Sequence, residues 1–155
     1  MMFTLTALGG TFDIIHAGHL ILIGKAISIS KKSIIGLTSD SFIAKTGKEI
    51  TNNFEERSKN LEKTINDKFP NCSFEIIKLD DDFGPAVIEG NVDALVVSEE
   101  TSKKGDILNA LRKERNLMPV EIITVPMKMA SDGNIISSTR IRNSEIDSSG
   151  NVIVD

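Results

Sequence analysis

The apolar positions of the chain fall into short runs of two periods that alternate along its length. Phe3 to Leu8 is a short apolar run ending on Gly9-Gly10, the pattern of a strand that leaves a sheet through a tight turn. From about Gly18 to Ser30, residues Leu20, Ile21, Leu22, Ile23, Ala26, Ile27 and Ile29 cover most of a helical circumference, which predicts a largely buried helix. Ser33 to Thr38 is a β-branched run and reads as a second strand, and the alternation of Ser73 to Leu79 reads as a third. Asp93 to Ser98 is a continuous apolar run between polar residues, typical of a buried parallel strand. Glu121 to Val125 is the fifth strand, closed by Pro126.

Helical spacing returns between these runs. Phe54, Leu61, Ile65 and Phe69 form one stripe; Asn53 with Glu56 resembles a capping box at its start, and Pro70-Asn71 stops it. Thr101 or Ser102 caps a further helix, expected to reach about Asn116, with Ile107, Leu108, Ala110 and Leu111 on its apolar side. Ser137 to Arg142 reads as a last helix start, with Ser138 or Thr139 as the cap. A polar stretch containing Lys45, Gly47 and Lys48 follows the second strand. The acidic run Asp80 to Asp82 reads as a solvated loop, leading into a short helix near Phe83 to Ala86. From Asn143 the chain reads as a polar tail until Val152.

Strands alternating with helices, without repeat or linker, predict one α/β domain spanning residues 1–155. Its core is a doubly wound five-stranded parallel sheet of the Rossmann-like kind. Such sheets bind ligands beyond the carboxyl ends of their strands, at the switch point in strand order. The loop from Gly9 to His19 leaves the first strand at such an end, and Ser137 to Arg142 follows the fifth. Two helix starts then face one crevice.

Composition narrows the partners. A chain of 155 residues is long enough for a proper core. It has no apolar run of membrane-spanning length and no signal-peptide layout, and its single cysteine, Cys72, forms no internal disulfide, so a cytoplasmic location is expected. The net charge of -4 disfavours nucleic acid and anionic membranes. The absence of Trp and Tyr removes the usual base-stacking platform. An anionic ligand therefore needs locally clustered cations.

The stretch Leu8 to Leu20 carries the candidate chemistry. Gly9-Gly10 lets backbone N–H groups approach a ligand that a Cβ would hold off. Gly18-His19 sits at a helix start, where unpaired N–H groups and the positive end of the dipole favour phosphate. Thr11 adds a hydroxyl, and His16 and His19 add imidazoles. They are the only two histidines in the chain, and both lie in this loop. Their spacing suits one helix face, but no cysteine or third histidine completes a zinc set, so no protein-held metal is assigned.

Gly10-Thr11-Phe12-Asp13 followed by His16-x-Gly18-His19 resembles the first signature of the nucleotidylyltransferase superfamily. Ile136-Ser137-Ser138-Thr139-Arg140-Ile141-Arg142 resembles the second. Gly36 to Asp40, Phe83 to Ala86, Asp93 to Thr101 and Ser144 to Asp147 are similar to the archaeal phosphopantetheine adenylyltransferases. That resemblance implies a transferase that joins ATP and 4′-phosphopantetheine, with Mg²⁺, to give 3′-dephospho-CoA and pyrophosphate. It also implies the site. His19 donates to the α-phosphate, with His16 alongside. Gly10, Thr11 and Phe12 hold the reacting phosphates, and Gly18 lets the nucleotide pack on the helix. Ser137, Ser138 and Thr139 bind the β- and γ-phosphates, with added charge from Arg140 or Arg142. These two arginines do not share a helix face, so at most one points into the site.

Lys45 is the chosen bridge between the two substrates' phosphates and Lys48 its competitor. Asp13 either orients a neighbour, holds Mg²⁺ through water or structures its loop. Phe83-Gly84-Pro85 borders the pantetheine arm on resemblance alone, and Arg57 reads as a surface residue. The bacterial enzymes carry an Arg-Gly-Leu-Arg element where this chain has Ser98-Glu99-Glu100-Thr101, so those phosphate contacts do not transfer. The signatures alone leave open another acceptor, nicotinamide mononucleotide or glycerol 3-phosphate with CTP, and a non-catalytic ATP-binding domain. Oligomeric state is not legible in the sequence.

Overall fold

The computed structural model describes residues 3–84 and 90–153. Five strands form one sheet: β1 (Phe3–Gly10), β2 (Ser30–Thr38), β3 (Phe74–Leu79), β4 (Ala94–Ser98) and β5 (Glu121–Val125). Their order is β3-β2-β1-β4-β5 and every pairing is parallel. The order reverses direction between β1 and β4, so the switch point lies where β1 ends in Gly9-Gly10.

The helices are α1 (Ala17–Ile29), α2 (Asp40–Thr46), α3 (Phe54–Lys68), α4 (Lys103–Glu114) and α5 (Ser138–Arg142). Neighbouring residues of each central strand face opposite ways. Leu8, Ile35 and Val96 pack with Ile23 and Ala26 of α1 and with Leu61 and Ile65 of α3. Ala7, Ile34, Leu95 and Val97 pack with Leu108 of α4 on the other face. The sheet is thus covered on both sides, which is why the central strands β2 and β4 read as continuous apolar runs, while the edge strand β3 alternates.

Several boundaries differ from those the sequence predicts. The polar stretch after β2 contains a two-turn helix, α2. Ser39 Oγ accepts from Phe42 N at 3.1 Å at its start, and Gly47 closes it at φ 74°. Helix α1 begins at Ala17, because His16 is its cap. The cap of α5 is Ser137, which accepts from Arg140 N, rather than Ser138 or Thr139. Helix α4 stops at Glu114, and its cap position, Ser102, makes no side-chain capping bond. The Asn53–Glu56 capping box on α3 forms as predicted. The short helix expected near Phe83 to Ala86 extends into residues outside those described.

The segment after Asn143 is not a loose polar tail. Ile146 is fully buried with Ala130 and Ile136, and Ser148 O accepts from Ala17 N at 2.9 Å. Single apolar positions in a polar run carry no periodicity, so the sequence hid this packing. The tail holds the β5–α5 connection against the start of α1, and so shapes the crevice.

Candidate active site

Two cavities of about 410 Å³ each open at the carboxyl edge of the sheet, one on either side of the loop that leaves β1. The first gathers His16, Gly18, His19, Ser137, Ser138, Thr139 and Arg142, with Pro126, Met127 and Lys128 behind them. The second is walled mainly by Ile34, Phe42, Ile77, Leu79, Phe83, Leu95 and Val97. They share Gly9, Gly10, Thr11, Leu22, Lys48 and Thr101. The switch point therefore joins a cavity where two helix starts and most of the polar side chains gather to one with more apolar side chains in its wall.

The histidine spacing has a local cause. His16 Nδ1 accepts from Gly18 N at 3.1 Å, and His19 Nδ1 accepts from His16 N at 3.2 Å. The pair is a reciprocal cap on α1 in which imidazoles take the usual places of Ser and Glu. The rings stack, with centroids 3.8 Å apart and planes at 21°. A Cβ at position 18 would lie 3.0 Å from His16 Cε1, so glycine there lets the cap close. Each Nδ1 accepts a backbone proton, which leaves the imidazole proton on Nε2. Burial pushes the His16 pKa down to about 4. Burial, then the charges of His16 and Lys48, push that of His19 down to about 3. Both rings are neutral at pH 7, and His19 lines the first cavity as an Nε2–H donor.

Phe12 is buried at φ 47°, an uncommon conformation for a side chain of its size, and its ring lies 4.9 Å from that of His19. A Cβ at Gly10 would meet the Phe12 ring at 3.0 Å, so the glycine leaves room for the ring that backs His19.

Asp13 structures its loop. Its carboxylate accepts from Thr51 N at 2.8 Å and Asn52 N at 2.9 Å and pairs with Arg142. Burial raises its pKa, but these donors outweigh burial and hold it below the ordinary carboxylate value. Arg142 also donates to Thr51 Oγ1 at 2.9 Å, and it lines the first cavity. Ser138 Oγ donates to Ile14 O at 3.1 Å, tying α5 to the β1–α1 loop.

Three of the residue assignments change. Arg140 turns away from the cleft, bonding Asp132, Ile135 O and Glu145, so Arg142 is the arginine of α5 that faces it. Lys45 is exposed on the last turn of α2 and lines neither cavity, whereas Lys48 lines both; Gly47 ends the helix and redirects the chain between them. Arg57 is completely buried rather than on the surface, and bonds Thr11 O and Thr38 O. Its signal was visible: Arg57 falls on the stripe Phe54, Leu61, Ile65 at helical spacing. Thr38 and Thr101, inside the matched segments Gly36 to Asp40 and Asp93 to Thr101, line the second cavity, as does Lys104, which no motif marks. Among the described residues, no three His, Cys, Asp or Glu side chains gather as a metal set. No helix among them is long and apolar enough to cross a membrane.

The model of the cytidylyltransferase-like family matches residues 7–144. The phosphopantetheine adenylyltransferase of Methanothermobacter thermautotrophicus is 41% identical over 151 residues, 97% of this chain and 90% of its own. That of Methanosarcina barkeri is 42% identical over 147 residues, 93% and 89% of the two chains. The crystal structure of a protein of unknown function from Archaeoglobus fulgidus superposes with a TM-score of 0.72 at 31% identity, covering 79% of this chain and 89% of that one. The β1 loop, the α1 histidines and the α5 start lie within the matched span, and the chain belongs to the cytidylyltransferase-like family, among its archaeal phosphopantetheine adenylyltransferases.

Proposed function

We propose that the chain transfers the adenylyl group of ATP to 4′-phosphopantetheine, releasing pyrophosphate and forming 3′-dephospho-CoA. One observation carries the reading: a cavity that gathers two helix starts, His16, His19 and Arg142 meets a second cavity, with more apolar side chains in its wall, at Gly9, Gly10, Thr11 and Lys48, beside the His19 donor. ATP occupies the first cavity, and its triphosphate runs from the start of α1 to the start of α5. The apolar wall of the second suits the pantetheine arm. Glycerol 3-phosphate is polar throughout and gains little from such a wall, and the short nicotinamide riboside covers less of it than the pantetheine arm. The names of the archaeal relatives favour the same acceptor.

A phosphate oxygen of the acceptor attacks the α-phosphorus in line, and the bond to the pyrophosphate oxygen breaks. The attacking group is already anionic, so no base is needed. Positioning two anions and stabilising the five-coordinate α-phosphoryl group are the work. His19 Nε2–H donates to the α-phosphoryl oxygen. A neutral donor suits this step, since no proton has to leave it. Thr11 and the backbone at Gly10 hold the reacting phosphates. Lys48, at the junction, bridges the two substrates. Ser137, Ser138, Thr139 and Arg142 hold the β- and γ-phosphates.

Mg²⁺ fits as a companion of the triphosphate rather than as a caged ion. Asp13 is committed to backbone donors and Arg142, so a Mg²⁺ bound with the triphosphate would take its ligands mainly from phosphate and water oxygens and would supply charge to offset that of the pyrophosphate. The test is pyrophosphate release with ATP and Mg²⁺ and each acceptor in turn, with CTP and glycerol 3-phosphate alongside. Release with 4′-phosphopantetheine alone is expected. Release with another acceptor instead overturns the assignment. ATP binding without release from any pair favours a non-catalytic binding domain.

A further inference from the structure

The pairing of β1 with β2 ends at Gly10 and Leu37, one residue before β2 itself does. The carbonyls of Thr11 and Thr38 come next and have no rung to join. Both accept from one nitrogen of Arg57, Nη1, at 3.0 and 2.8 Å. The guanidinium thus stands in for the missing rung and sets how far the two strand ends part. The second cavity opens at that parting, lined by Thr11 and Thr38.

The rest of the arginine is equally committed. Its Nε donates to Asn52 O at 3.1 Å and its Nη2 to Asp40 Oδ1 at 2.7 Å. Asp40 also accepts from Phe54 N, at the start of the arginine's own helix. The Asp40 carboxyl is held below its ordinary pKa chiefly by the Arg57 bond. A side chain needed only for packing at this point would be apolar, since burying a charge is unfavourable unless fixed partners surround it. Arg57 instead joins the β1 loop, the end of β2, the start of α2 and the loop carrying Lys48.

Thr38 adds the side-chain half. Its hydroxyl donates to Thr11 Oγ1 at 3.3 Å, the one hydrogen bond that the described residues give that oxygen. A hydroxyl has a single hydrogen, so accepting from Thr38 leaves the Thr11 hydrogen free for another acceptor. Thr11 lines both cavities, and its hydrogen is available where the two substrates meet.

We infer that Arg57 and Thr38 are positioning residues for adenylyl transfer, holding the backbone and hydroxyl of Thr11 so that its hydrogen is delivered to the reacting phosphates. The inference rests on the adenylyl-transfer reading. It assigns a role in turnover to two side chains outside both signature motifs.

The test is a set of steady-state kinetics on the full chain. Thr38→Val removes the donor and keeps the shape and the carbonyl. It is expected to lower kcat about tenfold with the KM for ATP nearly unchanged, because misplaced groups cost rate rather than affinity. Arg57→Lys keeps the charge but not the fork and is expected to lower kcat about 100-fold. Asp40→Ala removes the arginine's exposed anchor and is expected to lower kcat severalfold, which keeps the arginine's part testable if Arg57→Lys fails to fold. In a Thr11→Val background the Thr38→Val loss should largely vanish, since residues acting through one group are not additive. A merely structural role gives additive losses. Wild-type kcat in Thr38→Val, or additivity with Thr11→Val, overturns the inference while leaving the reaction intact. A wild-type protein that releases no pyrophosphate overturns the reading and the inference together.

Discussion

Lowering the pH from 7 to 5 should destabilise this protein more than its acidic residues explain. The cause is the stacked pair His16 and His19, the only histidines in the chain. Their folded pKa values, about 4 and about 3, lie below the ordinary imidazole value of 6.5. As pH falls through 6.5 the unfolded chain takes up two protons, while the folded chain refuses them until it reaches the folded values. The unfolded state binds more protons, so stability falls with pH across this window. At pH 5 each histidine has lost about 2 kcal/mol relative to pH 7, or about 4 kcal/mol for the pair. That is a large share of the 5–15 kcal/mol typical of a domain, and for this size it corresponds to a Tm drop of about 8–16 °C. Asp13, Asp40, Asp132 and Asp147 all have lowered pKa values, so their contributions are lost only below the ordinary carboxylate range and do not confuse the window. The assay is thermal unfolding by circular dichroism in phosphate-free buffers at half-unit steps. A His16→Asn, His19→Gln double variant is the control, because Asn and Gln keep the capping box without titrating near pH 6. The reasoning is refuted if Tm is flat from pH 7 to 5, or if the double variant keeps the wild-type slope.

Three further predictions follow from particular side chains. Lys48→Met should lower kcat by about 100-fold, as for a lost transition-state donor, whereas Lys45→Met should stay near wild type in the same assay. Arg142→Ala should raise the KM for ATP by roughly tenfold or more, the worth of one charge-assisted bond; Arg140→Ala, whose partners are Asp132 and Glu145, should not change it. Gly105→Ala would put a Cβ 2.7–2.9 Å from three atoms of Ile122, across the α4–β5 contact. Overpacking of about 1–3 kcal/mol outweighs the gain of up to about 1 kcal/mol in helix propensity, so the urea midpoint should fall.

The sheet is legible because its central strands are buried on both faces and helices lie between the strands in sequence, so the periods change cleanly at each junction. The two signatures were legible because glycines and histidines at fixed spacing have few other uses. The sequence does not separate Lys45 from Lys48, because nothing in a polar stretch announces α2, although Ser39 and Gly47 bracket it. Arg57 reads as a surface residue because arginines are mostly exposed, yet it shares the apolar stripe of Leu61 and Ile65 and is buried with every nitrogen bonded. Arg140 and Arg142 differ by tertiary partners, Asp132 and Asp13, which no local pattern reveals. The docking of the last segment through Ile146 was equally hidden.

The most direct measurement is the yield of 3′-dephospho-CoA and of pyrophosphate, by mass spectrometry, from ATP, Mg²⁺ and 4′-phosphopantetheine with wild-type protein and His19→Ala. The account predicts both products in equal amounts from the wild type. The variant should be slower by a factor on the order of 100 or more while still binding ATP. Turnover that survives His19→Ala within a few-fold would contradict the claim that a neutral histidine at the start of α1 stabilises the transferring group.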